Sequence, residues 1–309
     1  MSILITGVNG FFGKKLANYF LSKNYVVYGI GRNKESKVIN VRYWQIDLSA
    51  NENIDHIVKE CQTIYHFAGL TSHNEIVNNT QKARKVNING TRILLNSFKK
   101  FKESKTLVYA SSGKVYGHYK SLPLSEDHDT RPLNSLGKLK RDTEKYIEAK
   151  LNDKDRFVIL RIFNVYGPGQ KDNFLIPTIF HQIKNNLKQN KCTIDLGNID
   201  HKRDYIFIDD LVNLFFKMHK LKNLKTGVNI YNVGSGIPID VNNILKKIAY
   251  ILNINIKANI NPKKLRHDEH DVEYSDIEKI SKLTGWKPKV NLESGLKNYI
   301  SSEFNELIN

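Results

Sequence analysis

The sequence predicts an α/β protein: a doubly wound parallel sheet with helices on both faces, followed by a smaller mixed α/β domain. Three observations predict it. The chain has 309 residues, more than one compact core usually holds. Up to about residue 165, short apolar strands alternate with helical stretches, the pattern of a parallel sheet. The first strand also runs straight into a turn with three glycines and then a helix. Two parts are expected, 1–165 and 166–309.

Ser2 to Thr6 is the first strand, with an Ile-Leu-Ile run. Gly7-Val-Asn9-Gly10-Phe11-Phe12-Gly13 follows, then a helix from Lys14 to Lys23 and a second strand from Tyr25 to Ile30. In such a turn Gly7 permits the tight bend, Gly10 lets backbone approach a pyrophosphate, and Gly13 lets helix pack on strand. The helix N-terminus adds free N–H groups and a positive dipole end. The turn therefore points to a dinucleotide. A third strand, Tyr43 to Ile46, ends at Asp47-Leu48. A fourth ends in Tyr65-His66-Phe67-Ala68-Gly69-Leu70. Asn87 precedes a long helix that opens at Gly90-Thr91. A fifth strand, Leu107 to Ala110, ends in Ser111-Ser112-Gly113-Lys114-Val115-Tyr116-Gly117.

Composition excludes several classes. At 40% hydrophobic and 26% charged, the chain is an ordinary globular protein. Two cysteines, Cys61 and Cys192, supply neither a disulfide framework nor a zinc site, so no metal is expected. A reducing cytoplasm is the natural location. No apolar run is long enough to span a bilayer, and Met1 leads directly into a strand, so neither membrane anchoring nor a signal peptide is expected. The net charge of +17 is scattered over lysines with no nucleic-acid motif, so no nucleic-acid partner is expected. A positive field still favours a diphosphate-bearing ligand.

These segments carry a resemblance. The spacing G-x-x-G-x-x-G is similar to that of extended short-chain dehydrogenase/reductases. So are the H-x-A-[AG] run at His66, the N-x-x-G-T at Asn87 and the S-S-x-x-V-Y-G at Ser111. Leu160-Arg-Ile-Phe163-Asn164-Val-Tyr166-Gly-Pro168-Gly-Gln170, Arg203-Asp204 through Asp209-Asp210, Asn232-Val-Gly234-Ser-Gly236 and Gly285-Trp286-x-Pro288 extend the likeness. It covers nearly the whole chain and belongs to the NAD-dependent epimerase/dehydratase branch, whose members modify nucleotide-linked sugars. The resemblance implies a Rossmann-type domain, a smaller substrate-binding domain, and a chain that crosses between the two.

It also implies a site. Gly7, Asn9, Gly10, Phe11, Phe12 and Gly13 would hold the pyrophosphate of the cofactor. Arg32, Asp47 and Leu48 would meet the adenosine end, and Phe67, Ala68, Gly69, Asn87 and Lys140 the nicotinamide end. The acid that grips the ribose of NAD is replaced by Gly31, with Arg32 beside it. That change suits the 2′-phosphate of NADP, yet Arg32 stacked on adenine suits NAD. The choice is near even and leans to NAD. Thr71, Ser112, Asn164, Arg203 and Arg266 would bind a nucleotide-diphosphate sugar, the arginines by charge-assisted bonds to phosphate. The plainer reading of either arginine is a surface ion pair, for Arg203 with Asp204.

One position departs from the family. The run Pro132-Leu-Asn-Ser-Leu136-Gly137-Lys-Leu-Lys140-Arg-Asp-Thr-Glu144 is similar to P-x-S-x-Y-G-x-S-K-x-x-x-E, with leucine in the tyrosine's place. In the family that tyrosine takes the sugar hydroxyl proton, the lysine one helical turn on binds the nicotinamide ribose, and the serine holds the sugar oxygen. Ser112 and Lys140 are retained; Leu136 is inert. Tyr146 and Lys150 repeat the spacing ten residues on, about 15 Å further along the helix, and are read as coincidence. His73, Lys114 or an ordered water are the substitute proton acceptors to consider. The acidic pair of 4,6-dehydratases is replaced by Gly113 and Lys114, which argues against water elimination. The leading expectation is oxidation or reduction at sugar C4 in surface-polysaccharide biosynthesis. The alternatives are a 4-epimerase and a catalytically silent binding protein. A homodimer or homotetramer is expected through a four-helix bundle built on Gly90 to Phe101 and Leu136 to Leu151.

Overall fold

A computed structural model describes residues 2–101, 105–151, 155–265 and 270–307, without the side chains of His73, Asn74 and Glu306. The first half supplies β1 (Ser2–Thr6), β2 (Val26–Gly31), β3 (Arg42–Gln45), β4 (Thr63–His66), β5 (Thr106–Ser112) and β6 (Arg156–Ile162). Between them run α1 (Phe11–Ser22), α2 (Asp55–Lys59), α3 (His73–Asn78), α4 (Thr80–Arg84), α5 (Gly90–Lys100) and α6 (Ser135–Lys150). The second half supplies β7 (Asn164–Tyr166), β8 (Lys191–Leu196), β9 (Lys202–Phe207), β10 (Gly227–Val233), β11 (Pro238–Asp240), β12 (Asn255–Ile260) and β13 (Val272–Glu273). Its helices are α7 (Leu175–Asn186), α8 (Ile208–Lys220), α9 (Val241–Leu252), α10 (Glu278–Thr284) and α11 (Leu292–Glu303).

Seven parallel strands form the main sheet in the order β10-β6-β5-β4-β1-β2-β3. This is the predicted doubly wound sheet. Its outer strand β10 comes from beyond residue 166, so the chain returns to the first sheet after leaving it. Leu16 and Phe20 of α1 pack with Leu211 and Phe215 of α8 in one buried cluster. Leu94 and Phe98 of α5 and Ile147 of α6 lie in another. These clusters clothe the two faces, and burial of large apolar side chains drives both. Strand β9 organises the smaller sheet, pairing with β7, β11 and β13. No helix among the described residues is long and apolar enough to cross a membrane.

The sheet order reverses direction between β1 and β4, which opens a crevice beyond their C-terminal ends. The register aligns Thr6 with His66 and His66 with Tyr109, so the glycine turn, the Phe67–Gly69 run and the Ser112 turn open on one edge.

Candidate active site

The glycine turn is built by backbone crowding. Gly7 has φ +70°, and a Cβ there would lie 2.9 Å from the Ala68 nitrogen. A Cβ on Gly13 would lie 2.3 Å from the Gly7 carbonyl oxygen. Both positions therefore need glycine. Gly10 is the N-cap of α1, in extended conformation, so the helix begins at Phe11 rather than Lys14. No side chain caps this end and its first turn holds no acid, which leaves the N–H groups to a phosphate. Asn9 braces the turn: its side-chain nitrogen donates to the Glu35 carbonyl at 3.1 Å, and its oxygen accepts from the Lys37 N–H at 2.7 Å. Phe12 stands edge-on to Phe67, centroids 5.8 Å apart, with Phe11 beside it.

Just beyond β3, Asp47 caps a short turn by accepting from the Ser49 N–H and hydroxyl, both at 2.8 Å. Burial raises its carboxyl pKa. The Ser49 bonds and the positive charges of Arg32 and Lys85 outweigh that and hold it below the usual value. Arg32 is exposed. Leu48 is buried beneath. A Cβ on Gly31 would lie 3.0 Å from the Tyr43 hydroxyl, which donates to the Asn33 carbonyl at 2.7 Å. Tyr43 thus fills the space an acid at 31 would need.

The inner wall of the crevice is a fixed hydrogen-bond ladder. Asn87, buried in a π-type turn, accepts from the Leu70 N–H at 2.7 Å and donates to its carbonyl at 3.1 Å. This pins the strand end that carries Ala68 and Gly69. His66 sits between the Thr6 hydroxyl (2.7 Å) and the Thr91 hydroxyl (3.0 Å). Burial, then the Lys140 charge, lowers its pKa to about 3, so it is neutral.

Helix α6 brings the candidate catalytic residues together. Its N-cap Asn134 accepts from the Gly137 N–H at 2.8 Å. A Cβ on Gly137 would lie 2.2 Å from the Lys114 carbonyl oxygen, so the first turn of α6 rests directly on the Ser112–Lys114 turn. Leu136 stands on that turn, packed against the apolar cluster of Ile76, Ala83 and Leu139. Lys140 is buried one turn on, its Nζ 2.6 Å from the Ala110 carbonyl and 4.8 Å from the Tyr109 ring centroid. Loss of water pulls its ammonium down from 10.5 to about 8, against Glu144, which holds it up. Glu144, fully buried, accepts from Ser111 at 2.5 Å and from Arg161 at 2.9 Å. Ser112 accepts from the Lys114 N–H at 3.2 Å, which leaves its own proton to donate.

Two neighbouring tyrosines are engaged elsewhere. The Tyr116 hydroxyl donates to the Asn232 side chain at 2.6 Å, and the Tyr119 hydroxyl to the Val272 carbonyl. Tyr146 packs on the apolar cluster between α5, α6 and the sheet. Lys114 reaches across to Glu273, Nζ to Oε2 3.0 Å. Glu273 is not legible from the sequence, because no local pattern links positions 159 residues apart.

The smaller sheet brings the substrate candidates together. Asn164 on β7 donates to the Asp204 carbonyl at 3.2 Å, and Arg203 lies on the adjacent β9. Arg203 is buried and donates to the Lys202 and Asp271 carbonyls. It is not in a surface ion pair with Asp204, because successive strand residues face opposite ways. Asp204 is fully buried and accepts from Ser235, Gly236 and Ser275. Thr71 is exposed, while its neighbour Ser72 is buried and accepts from Asn173 at 3.0 Å. Arg266 and its turn through Glu269 lie outside the described residues, as does the His73 side chain.

Residues 4–299 match the sequence family described as GDP-mannose 4,6 dehydratase. The chain belongs to this family. It is an enzyme fold of the extended short-chain dehydrogenase/reductase type. GDP-6-deoxy-D-mannose reductase of Pseudomonas aeruginosa is 27% identical over 306 residues, covering 97% of this chain and 96% of that one. UDP-glucuronate 4-epimerase of Thermodesulfobacterium geofontis is 30% identical over 330 residues, covering 99% and 97%. The crystal structure of UDP-glucuronic acid 4-epimerase from Bacillus cereus, in complex with UDP-glucuronic acid and NAD, superposes with a TM-score of 0.86 at 25% identity, covering 98% of each chain. The relatives thus span several activities within one fold.

Proposed function

We propose that this protein is an NAD-dependent oxidoreductase that oxidises or reduces C4 of the sugar in a nucleotide diphosphate sugar. One observation carries the reading. The uncapped glycine turn and the Ser112 turn lie at the C-terminal ends of β1 and β5, with buried Lys140 bonded to β5 and with Asn164 and Arg203 on adjacent strands of the smaller sheet. The turn suits a pyrophosphate. A structural neighbour at 25% identity binds NAD together with its nucleotide sugar, which favours NAD over NADP. NAD supplies the hydride acceptor. The protein's own contribution is to bind and orient: Asn87 fixes the strand end beside the nicotinamide position, Lys140 offers an ammonium to the ribose, and Ser112 donates to the sugar oxygen. Asn164, Arg203, Thr71 and Arg266 belong to the nucleotide-sugar end.

Gly113 bears on the reaction class. Its Cβ would lie 2.9 Å from the Phe163 ring, so the turn has no room for the acid a 4,6-dehydratase places there. Reduction or 4-epimerisation fits better than water elimination, and two relatives bear those activities in their names. Leu136 favours a second reading, a silent binder of cofactor and nucleotide sugar, because an aliphatic side chain moves no proton.

Incubation with UDP-, GDP- and dTDP-sugars, followed by the absorbance of reduced nicotinamide, tests the proposal. Mass spectrometry of ligands released on gentle denaturation identifies the dinucleotide. Appearance of reduced nicotinamide with one sugar class is the expected result. Tight sugar binding without any redox change would replace the enzyme reading with the silent one. The cytoplasm remains the expected location. Pairing of α5 and α6 across a dimer is the expected assembly, and light scattering after gel filtration would measure it.

A further inference from the structure

Resting on the reading above, the question is what takes the hydroxyl proton when position 136 is leucine. The Lys114–Glu273 pair is the arrangement that the geometry places for it. Lys114 follows the Ser112 turn, and its backbone N–H is bonded to the Ser112 hydroxyl at 3.2 Å. The carbonyl of the same residue lies against Gly137, the neighbour of Leu136 on the first turn of α6. Its Nζ crosses to Glu273 on β13, where Glu273 is the register neighbour of Arg203 on β9. The pair thus ties the turn that carries Ser112 to the strand that runs beside Arg203. A sugar held between Ser112 and Arg203 would have to pass the pair that links their two elements.

The pair is also buried, with side chains 16% and 10% exposed. Removing two charges from water offsets most of their attraction, so stability is a weak reason for such a bridge. A lysine joined to a carboxylate is, however, a group that can accept one proton while releasing another.

We propose that Lys114 and Glu273 form a proton relay that takes the place of the absent tyrosine. In the oxidative direction one Nζ proton passes to Glu273 Oε2, which frees the nitrogen lone pair, and in the same step the sugar O–H breaks and its proton passes to Lys114 Nζ. The C4–H bond breaks, and its electron pair and hydrogen leave as hydride to the oxidised nicotinamide dinucleotide. The products are a ketone, the reduced dinucleotide, a Lys114 ammonium and a neutral Glu273 carboxylic acid. Charge is the same on both sides. Lys114 is then the catalytic residue, and Glu273 acts through it.

The test uses the full chain and the nucleotide sugar that gives reduced nicotinamide with the wild type. Replacing one partner buries a lone charge, so the primary variant is the double change Lys114→Gln with Glu273→Gln. It keeps a hydrogen-bonding pair, carries no net charge and cannot relay. Three quantities are read: single-turnover hydride transfer, dissociation constant of the nucleotide sugar, and the infrared difference spectrum on mixing. The expected result is a fall of about 10²-fold or more in hydride transfer, the usual worth of general acid–base help. Sugar affinity should stay within a few-fold. A protonated-carboxyl band should appear with the wild type and be missing in Glu273→Gln. Hydride transfer within two-fold of wild type in the double variant overturns the relay while leaving the enzyme reading intact. A wild-type spectrum without the carboxyl band overturns it as well. No hydride transfer by the wild type with any sugar overturns the enzyme reading, and the relay with it.

Discussion

Lys140 offers a stability measurement that follows from its burial. Its ammonium sits in the interior, bonded to the Ala110 carbonyl at 2.6 Å, and loss of water lowers its pKa from 10.5 to about 8. The unfolded chain therefore binds this proton more tightly than the folded one. Between about pH 8 and 10.5 the unfolded state holds more protons, so stability rises with pH across that window. At neutral pH the charged form costs roughly 3 kcal/mol relative to the unfolded reference, at about 1.4 kcal/mol per pKa unit. Lys140→Met removes this cost and loses a hydrogen bond worth roughly 1 kcal/mol. The cofactor-free variant should thus be more stable than wild type by roughly 2 kcal/mol at neutral pH. That advantage should shrink as pH climbs through the window, because wild-type Lys140 then becomes neutral. Urea unfolding of both proteins from pH 7 to 10.5 reads the difference directly, and other titrating groups cancel in it. A variant that is less stable at neutral pH, or a difference that does not change with pH, would refute the argument from desolvation.

Other outcomes follow from neighbouring residues. Leu136→Tyr puts a phenol on the first turn of α6; with the relay in place it should change hydride transfer by no more than a few-fold, and in the Lys114→Gln/Glu273→Gln background it should restore about 10²-fold, read as reduced nicotinamide; a gain of about 10²-fold in the wild-type background would mean that nothing fills the tyrosine's role. Gly113→Asp drives a Cβ to 2.9 Å from the Phe163 ring and should cost about 1–3 kcal/mol in a urea melt, without conferring dehydratase activity. Asp204→Ala strands donors from Ser235, Gly236 and Ser275 and should cost about 3 kcal/mol or more, with loss of nucleotide-sugar binding on titration. His66 has its pKa lowered by burial to about 3, so the wild type should lose stability as pH falls from 6.5 toward 3. His66→Gln should lack that acid-dependent component, by up to roughly 4 kcal/mol across the window in acid unfolding curves.

The parts of this molecule that were legible in the sequence are those fixed by short-range sterics. Gly7 and Gly13 can be read because any side chain would strike backbone within a few residues or across the adjacent strand end. The strand–turn–helix that follows has little freedom, and the alternation of strands and helices then fixes a parallel sheet by handedness alone. Even so the start of α1 was misplaced by three residues. Gly10 caps it in extended conformation, and two aromatic residues read as turn rather than helix. The smaller sheet was less legible. Nothing in Gly227–Val233 says that it pairs with Arg156–Ile162 rather than with its sequence neighbours.

Charged partners were the least legible of all. A glycine at a crowded bend has few tolerable replacements, so its presence says much about its surroundings. A charge can be satisfied by any opposite charge or dipole within reach, so its presence says almost nothing about which one. Arg203 beside Asp204 invited an ion pair, but strand geometry turns them apart, one to backbone carbonyls and the other to Ser235 and Ser275. Lys114 could be read from the sequence only as a candidate proton acceptor; its partner is a glutamate that only the folded sheet brings near. Sequence motifs thus locate where a cofactor and a sugar must lie. Deciding which group can move a proton there requires the three-dimensional pairing of charges, and this is why the loss of one tyrosine does not by itself decide whether the site is silent.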